Sequence, residues 1–140
     1  MKRLPLVLFC CLSLCGSVFA DTNRHTHPKA ASTETKSDSK GIYGCEIRVV
    51  NDSDYLSIRV SGYFDDGAPL ASFTAYNWQS PQYIDMFYYG YCHARMDLYV
   101  EYLTLFGFVD QSYWIYGKPV NTTLYASDLY QQMKAKSAAK

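Results

Sequence analysis

The sequence predicts an all-β protein, and three of its features lead to that prediction. From Gly41 onward apolar and polar residues alternate with a period of two, which is typical of strands with one buried face. Turn-forming residues interrupt the alternation roughly every eight to twelve positions. Two cysteines fall in phase with the apolar positions. Together these features favour an Ig-like antiparallel β-sandwich of about seven strands over residues 41–126, in architecture and not in kinship, with a small closed barrel as the alternative.

The first part of the chain, residues 1–20, has the layout of a secretory signal peptide. Two basic residues precede an apolar run of about a dozen residues, whereas a membrane-spanning helix needs about 20. The sequence SVFA supplies the small residues that signal peptidase reads, so we expect cleavage before Asp21. A lipoprotein anchored at Cys15 is the alternative, although Leu14 stands where a lipobox needs a small residue. We therefore expect an exported protein, periplasmic or outer-membrane-associated in a bacterium and secreted in a eukaryote.

Residues 21–40 are predicted to be a disordered linker. They contain no large apolar residue, so burial cannot offset the entropy lost on ordering them. His25 and His27 resemble a metal-binding pair, but a flexible segment offers no preformed third ligand. We interpret the segment as a solvated tether and expect no metal.

A single disulfide is predicted between Cys45 and Cys92. Removal of the signal peptide leaves these two cysteines, an even number in an exported chain. The bridge closes a loop of about 47 residues, which the chain-entropy model converts to roughly 4 kcal/mol of stabilisation.

The alternation identifies the first three strands in order. The segment YGCEIRVV places one set of residues on a single face: Tyr43, Cys45, Ile47 and Val49. After the turn NDSD, the segment YLSIRVSGYF has an inward set: Leu56, Ile58, Val60, Gly62 and Phe64. The turn DDGAP then leads into a third strand, LASFTAY.

The second half of the domain continues the pattern. Residues 83–92 are read as one strand with a core-facing set: Ile84, Met86, Tyr88, Gly90 and Cys92. Two further segments are read as strands: DLYVEYL and KPVNTTLYA. Between them, FGFVDQSYWIYG is read as either another strand or a bulged pair. Residues 127–140 switch to helix-forming residues behind Ser127 as N-cap, which predicts a short, frayed C-terminal helix.

An aromatic binding face is predicted because the outward side of residues 83–92 is aromatic as well. Tyrosine suits such a face, since its flat ring carries a wettable tip, and a cluster of rings reaches the size of a contact patch. High β-propensity of tyrosine is the structural alternative. The predicted face consists of Tyr55, Tyr63, Tyr83, Phe87, Tyr89, Tyr91 and Tyr99.

Charge and motifs exclude several function classes. Residues 41–126 carry nine Asp or Glu against four Lys or Arg, which disfavours nucleic acid and anionic membranes as partners. His93 is the only histidine in this region, and Asp85, Asp97 and Glu101 show no sign of converging as a carboxylate pair. No nucleophile, phosphate-loop or zinc motif occurs, so we expect no catalytic residue and no cofactor.

Two N-glycosylation sequons begin at Asn51 and Asn121, and they have meaning only in a eukaryotic source. Otherwise they are a turn and the start of a strand.

The expected function is therefore contact, not catalysis. We expect an exported β-sandwich that binds protein partners through its aromatic face, as a component of an envelope assembly such as a secretion system. A carbohydrate-binding module and a secreted inhibitor of a hydrolase are the alternatives. Any association with a membrane is expected to be peripheral.

Overall fold

The structure is a computed structural model that describes residues 23–28, 44–79 and 81–138. The predicted signal peptide and its cleavage site, and most of the predicted linker, lie outside the described residues. Within these described residues, ten strands and one helix follow in chain order: β1 (Arg24–His25), β2 (Glu46–Val50), β3 (Ser57–Phe64), β4 (Pro69–Tyr76), β5 (Gln82–Asp85), β6 (Phe87–Tyr88), β7 (Tyr91–Cys92), β8 (Arg95–Leu103), β9 (Val109–Pro119), β10 (Thr123–Tyr125) and α1 (Ala126–Ala138).

The strands form two four-stranded sheets and a separate hairpin of β6 and β7. Sheet B has the order β4-β3-β8-β9 and is antiparallel throughout. Sheet A has the order β1-β5-β2-β10, and it is mixed because β1 runs parallel to β5 and β10 parallel to β2. The mostly β prediction is confirmed, whereas a purely antiparallel arrangement is wrong. A period of two is common to both kinds of sheet, so it cannot reveal strand direction. The described strands close no barrel.

One hydrophobic core joins both sheets and the helix. The alternation predicted the buried faces of β2 and β3 correctly, where Ile47, Val49, Ile58 and Val60 are fully buried. Leu56 is the exception, since it precedes β3 and is exposed. The largest fully buried side chain is Tyr102 of β8, whose hydroxyl donates a hydrogen bond of 2.6 Å to the carbonyl of Ala126 and so ties sheet B to the start of α1.

Residues 83–92 do not form one strand, which corrects the prediction. β5 ends at Asp85, whose carboxylate accepts the N–H of Phe87 at 2.9 Å. The chain then reverses between β6 and β7 at Tyr89 and Gly90, which have φ angles of 53° and 83°. Two successive positive φ angles are what a tight two-residue hairpin turn requires. The pair Tyr-Gly is a weak turn signal, and an unbroken aromatic pattern hid it.

The predicted disulfide between Cys45 and Cys92 is confirmed, with the two Cα atoms 5.6 Å apart. Its position differs from the expected one. Cys45 is buried immediately before β2, but Cys92 is exposed in β7. The bridge therefore fastens the β6–β7 hairpin to sheet A and does not link two buried sheet faces.

Residues 23–28 pack on the body, which differs from the linker expected over 21–40. The guanidinium of Arg24 bonds Glu46 at 3.1 Å and Asp85 at 3.2 Å, so it bridges β2 and β5. The side chain of His27 is buried and stacks on Tyr88, with 3.7 Å between ring centroids. Disorder was predicted because this segment has no large apolar side chain to bury. Ion pairs and ring stacking hold residues 23–28 on the body instead.

The C-terminal helix is confirmed as α1, but Ser127 lies inside its first turn and is not the N-cap. A distant residue stabilises that turn instead. The carboxylate of Asp52 accepts the backbone N–H of Ser127 at 2.9 Å and its hydroxyl at 2.6 Å. A carboxylate at this end also interacts favourably with the helix dipole. The neighbouring Asn51 is buried, and its amide nitrogen donates to the carbonyls of Tyr55 and Ala75 at 3.1 Å each. The folded protein therefore offers no free amide at the first sequon.

Candidate functional site

The seven residues predicted as one aromatic face lie at several places. Tyr63 and Tyr99 share the outer face of sheet B, on β3 and β8. Tyr83 lies on β5 in sheet A and is half-buried. The β6–β7 hairpin carries the remaining exposed rings of the set: Phe87, Tyr89 and Tyr91.

Tyr55 lies at another place, just before β3. Its ring contacts Tyr102 and Tyr130, with centroids 5.1 Å and 5.4 Å away. Its hydroxyl donates to Asp110, and this bond together with burial raises its pKa well above the usual value. Tyr55 therefore holds strand ends together. These internal contacts account for the presence of a tyrosine here, and no binding partner is needed to explain it.

Four rings on the outer face of sheet B form a continuous group that we call the aromatic row: Tyr63, Tyr99, Trp114 and Tyr116. Trp114 is central, with its ring centroid 6.3 Å from that of Tyr63, 4.9 Å from Tyr99 and 5.8 Å from Tyr116. The planes of Trp114 and its neighbours Tyr63 and Tyr116 deviate by only 7° and 10°. Tyr63, Trp114 and Tyr116 are all exposed.

Strand register and a bulge create the row. Trp114 lies directly opposite Tyr99 in the β8–β9 pairing, and aromatic cross-strand pairs stabilise a sheet. Farther along, the register shifts where Gly117 has a φ of 60° and donates its N–H to the carboxylate of Asp97 at 2.7 Å. A glycine with positive φ in such a place is typical of a β-bulge, which re-aims neighbouring side chains.

Sequence reasoning missed Trp114 and Tyr116, although a signal was present. In the segment SYWIYG the two residues alternate with Tyr113 and Ile115, which pack against the core. Assigning this segment to a single strand would have placed Trp114 and Tyr116 outward. What the sequence did not reveal is that β9 lies beside β8, because strand order depends on distant pairing.

A cleft of about 310 Å³ opens beside the row at the turn between β3 and β4. Tyr63 forms an aromatic wall, while Asp65, Arg95 and Asp97 supply charged groups. The cleft therefore combines a flat aromatic surface with hydrogen-bonding side chains of positive and of negative charge. Such a combination is what binding sites for small polar molecules use.

A second cluster of aromatic rings surrounds Tyr88 of the β6–β7 hairpin. The ring of His93 stacks on that of Tyr88, with 3.4 Å between the centroids. The ring of His27 also stacks on that of Tyr88, with 3.7 Å between the centroids. Asp65 accepts hydrogen bonds from the Tyr88 hydroxyl at 2.9 Å and from His93 Nδ1 at 2.8 Å. Burial, and then the bond to Asp65, raises the pKa of Tyr88 well above its usual value, so the phenol remains a donor.

The pair of His93 and Asp65 resembles the base and its orienting carboxylate in a hydrolase triad. The ring atom Nε2 of His93 would then have to reach a nucleophile. It is buried, and within the described part of the chain no group forms a hydrogen bond with it. These rings are therefore best explained as packing that fixes the hairpin and residues 23–28.

The candidate carboxylates Asp85, Asp97 and Glu101 do not converge. Asp85 is paired with Arg24 on sheet A. Asp97 and Glu101 lie four residues apart on β8, which separates them by about 13 Å along the strand. Glu101 forms an ion pair of 3.3 Å with Arg59 across sheet B.

Residues 23–28, 44–79 and 81–138 contain no group of three or more His, Cys, Asp or Glu side chains suited to hold a metal ion. Within the same ranges no helix is long and apolar enough to cross a membrane. The chain matches no protein-family model, no curated protein and no solved structure.

Proposed function

We propose that this protein is an exported, non-catalytic binding protein that contacts a protein partner through the aromatic row. The observation that carries the proposal is the position of Trp114, which touches three other rings on an exposed sheet face. Trp and Tyr are the residues that most often dominate the binding energy of protein interfaces. Three adjacent strands, β3, β8 and β9, hold these rings, so little entropy is lost when a partner binds.

The surroundings of the row also suit a protein interface. Arg59 and Glu101 form an ion pair on the same face, and polar groups at the margin of an aromatic centre are typical of interface rims. The exported location and an envelope assembly as partner extend this proposal, and they depend on the signal peptide predicted for residues 1–20.

Carbohydrate is the second candidate ligand, and one observation favours it. The planes of Tyr63, Trp114 and Tyr116 are nearly parallel, and the row ends at the cleft that contains Arg95 and Asp97. Parallel rings beside charged hydrogen-bonding groups suit the flat faces and hydroxyl groups of sugar rings.

An Ig-like β-sandwich remains our interpretation of the fold. It is supported by the single core to which both four-stranded sheets contribute. The parallel strand pairs of sheet A and the exposed position of Cys92 depart from an Ig arrangement.

The test is a double substitution, Trp114→Ala with Tyr116→Ala. Its control is Tyr125→Ala, which removes an exposed ring from β10 on the other sheet. Both proteins serve as baits for envelope extracts and are run through gels that contain polysaccharides. We expect the double variant to lose a partner that the control retains. Loss of retardation in a polysaccharide gel alone would identify the ligand as carbohydrate. Equal capture by both variants would refute the aromatic row as the binding site.

A further inference from the structure

One end of sheet B carries a group of exposed apolar side chains that we call the apolar end: Leu56, Trp78, Leu105, Phe106, Phe108 and Val109. The loop between β8 and β9 contributes the most prominent members. Leu105, Phe106 and Phe108 are 75%, 84% and 72% exposed, and Trp78 in the loop after β4 is 63% exposed. Side chains this large rarely project so far from a soluble surface without a contact to make.

Strand register brings these loops together. Ser57 at the start of β3 pairs with Tyr76 at the end of β4 and with Leu103 at the end of β8. Leu56 and the two loops therefore leave sheet B at the same end. The aromatic row lies farther along, since Trp114 pairs four residues from Leu103, about 13 Å along β8. The apolar end is thus a surface separate from the row.

The loops that carry these side chains pair part of their backbone groups internally. In the β8–β9 loop, the N–H of Thr104 donates to the carbonyl of Phe108 at 2.8 Å, and the N–H of Gly107 donates to the carbonyl of Thr104 at 2.9 Å. The N–H of Phe108 donates to the hydroxyl of Thr104 at 3.1 Å. In the other loop, Asn77 donates to the carbonyl of Leu56 at 3.1 Å, and Gln79 donates to that of Tyr76 at 3.2 Å.

This internal pairing bears on the kind of partner. A protein surface can supply hydrogen bonds to a docking loop, but the acyl region of a bilayer cannot. A loop that enters lipid therefore needs its amides paired internally, because each unpaired group costs several kcal/mol there. The β8–β9 loop meets this condition at Thr104, Gly107 and Phe108. The N–H groups of Leu105 and Phe106 at its tip can bond headgroups and their water when insertion is shallow.

Charge defines which lipid surface would fit. Residues 104–109 carry no charged side chain, and the charges that adjoin the apolar end in sequence are the carboxylates of Asp54 and Asp110. The hydroxyl of Tyr55 donates to Asp110 and holds that carboxylate at the base of the loop. Carboxylates here repel anionic lipids, whereas a zwitterionic surface allows the apolar tips to enter until the carboxylates reach the headgroups.

We propose that the apolar end inserts shallowly into a zwitterionic lipid surface. Phe106 and Phe108 enter the boundary between headgroups and acyl chains, and Trp78 lies at headgroup level, where tryptophan is enriched. The proposal goes beyond the protein contact at the aromatic row and does not depend on it. It makes the protein a peripheral membrane binder that keeps the row free for another partner.

The two tryptophans of the chain allow a sharp test. Trp114→Phe leaves Trp78 as the only tryptophan, and Trp78→Phe leaves Trp114. On addition of phosphatidylcholine vesicles, we expect a blue shift of emission, and quenching by brominated lipid, for Trp78 but not for Trp114. In flotation, Phe106→Ser with Phe108→Ser should reduce the vesicle-bound fraction at least tenfold. Trp114→Ala with Tyr116→Ala should leave that fraction unchanged.

Three results would overturn the proposal. The first is that the full-length mature protein does not float with phosphatidylcholine vesicles. The second is binding that appears only when anionic phosphatidylglycerol is added, which would indicate electrostatic attraction. The third is loss of flotation in the Trp114/Tyr116 variant, which would place the lipid contact at the aromatic row. Far-ultraviolet circular dichroism of each variant checks that folding is unchanged.

Discussion

Gly62 in β3 lies directly against the backbone of Asp97 in β8. A Cβ atom added to Gly62 would lie 2.0 Å from the carbonyl oxygen of Asp97, far inside any contact that real Cβ atoms make. The obstacle is backbone on both sides, so no side-chain rotation can relieve it. The side chain of Asp97 also accepts the N–H of Gly117 in β9. Asp97 therefore contacts both neighbouring strands and links three adjacent strands of sheet B: β3, β8 and β9.

Gly62→Ala is predicted to lower the free energy of unfolding by about 2–3 kcal/mol or more, because β3 and β8 must separate to admit the methyl group. Urea unfolding followed by fluorescence measures the change. Ser61→Ala is the matched control, since the neighbouring residue lies on the outer face of the same strand. A Gly62 variant as stable as the Ser61 variant would show that the two backbones separate at little cost.

The sequence predicted the features that depend on local pattern. Alternation identified the buried faces of β2 and β3, and cysteine arithmetic identified the disulfide. Features that depend on distant pairing were not predicted. Gly62 was assigned to the inward face, but nothing near it in the sequence reveals the approach of Asp97.

The same distinction holds for the candidate site. Tyr63 and Tyr99 were predicted as outward rings, whereas their grouping with Trp114 follows from strand order. Residues 23–28 were expected to be flexible because they lack apolar side chains. Their contacts come from residues far along the chain, such as Asp66 and Gln82.

The aromatic residues of the β6–β7 hairpin should divide into two classes by burial. Tyr88 is buried between two histidine rings, so Tyr88→Ala is predicted to lower stability by about 3–5 kcal/mol. Tyr89 and Tyr91 are exposed, so their joint replacement by Ala should shift the thermal midpoint by only a few degrees. Thermal unfolding of the two variants checks this. A Tyr89/Tyr91 variant that unfolds as early as the Tyr88 variant would mean that the hairpin is part of the core.

Removal of the disulfide should act on the hairpin first. Cys45→Ala with Cys92→Ala is predicted to lower the free energy of unfolding by about 4 kcal/mol, from the loop that the bridge closes. Because the bridge fastens the hairpin to β2, hydrogen exchange should accelerate most at residues 87–92. Uniform acceleration across sheet B as well would contradict this local role.

Docking of residues 23–28 should contribute measurably to stability. His27 is buried, and its Nε2 lies 3.0 Å from a carboxylate oxygen of Asp66, while its ring stacks on Tyr88. His27→Ala is therefore predicted to lower the free energy of unfolding by about 1–3 kcal/mol. Thr26→Ala, at the exposed neighbouring position, is the control. Limited proteolysis should also cleave before residue 28 faster in the His27 variant than in the control. Equal stability and equal cleavage would support the original interpretation of this segment as a solvated tether.

His25 should make stability depend on pH. Its ring stacks on Phe73 at 3.6 Å, and Nε2 lies 3.0 Å from the side-chain oxygen of Gln82, so the neutral ring acts as donor. Burial lowers the pKa of His25 below its ordinary value of about 6.5, although the bond to Gln82 opposes the shift. When the pH falls below about 6.5, the unfolded chain therefore binds a proton at His25 before the folded chain does, and stability decreases. The decrease ends once the pH has passed below the pKa of the folded state.

His25→Gln removes this titration and keeps an amide donor for Gln82. Urea midpoints at pH 5, 6 and 7 should therefore fall less steeply on acidification for the variant than for the wild type. Comparison of the two slopes cancels the contributions of all titratable groups that both proteins retain. Identical slopes would mean that His25 titrates alike in the folded and unfolded chains, and that its stacking on Phe73 does not shield it from water.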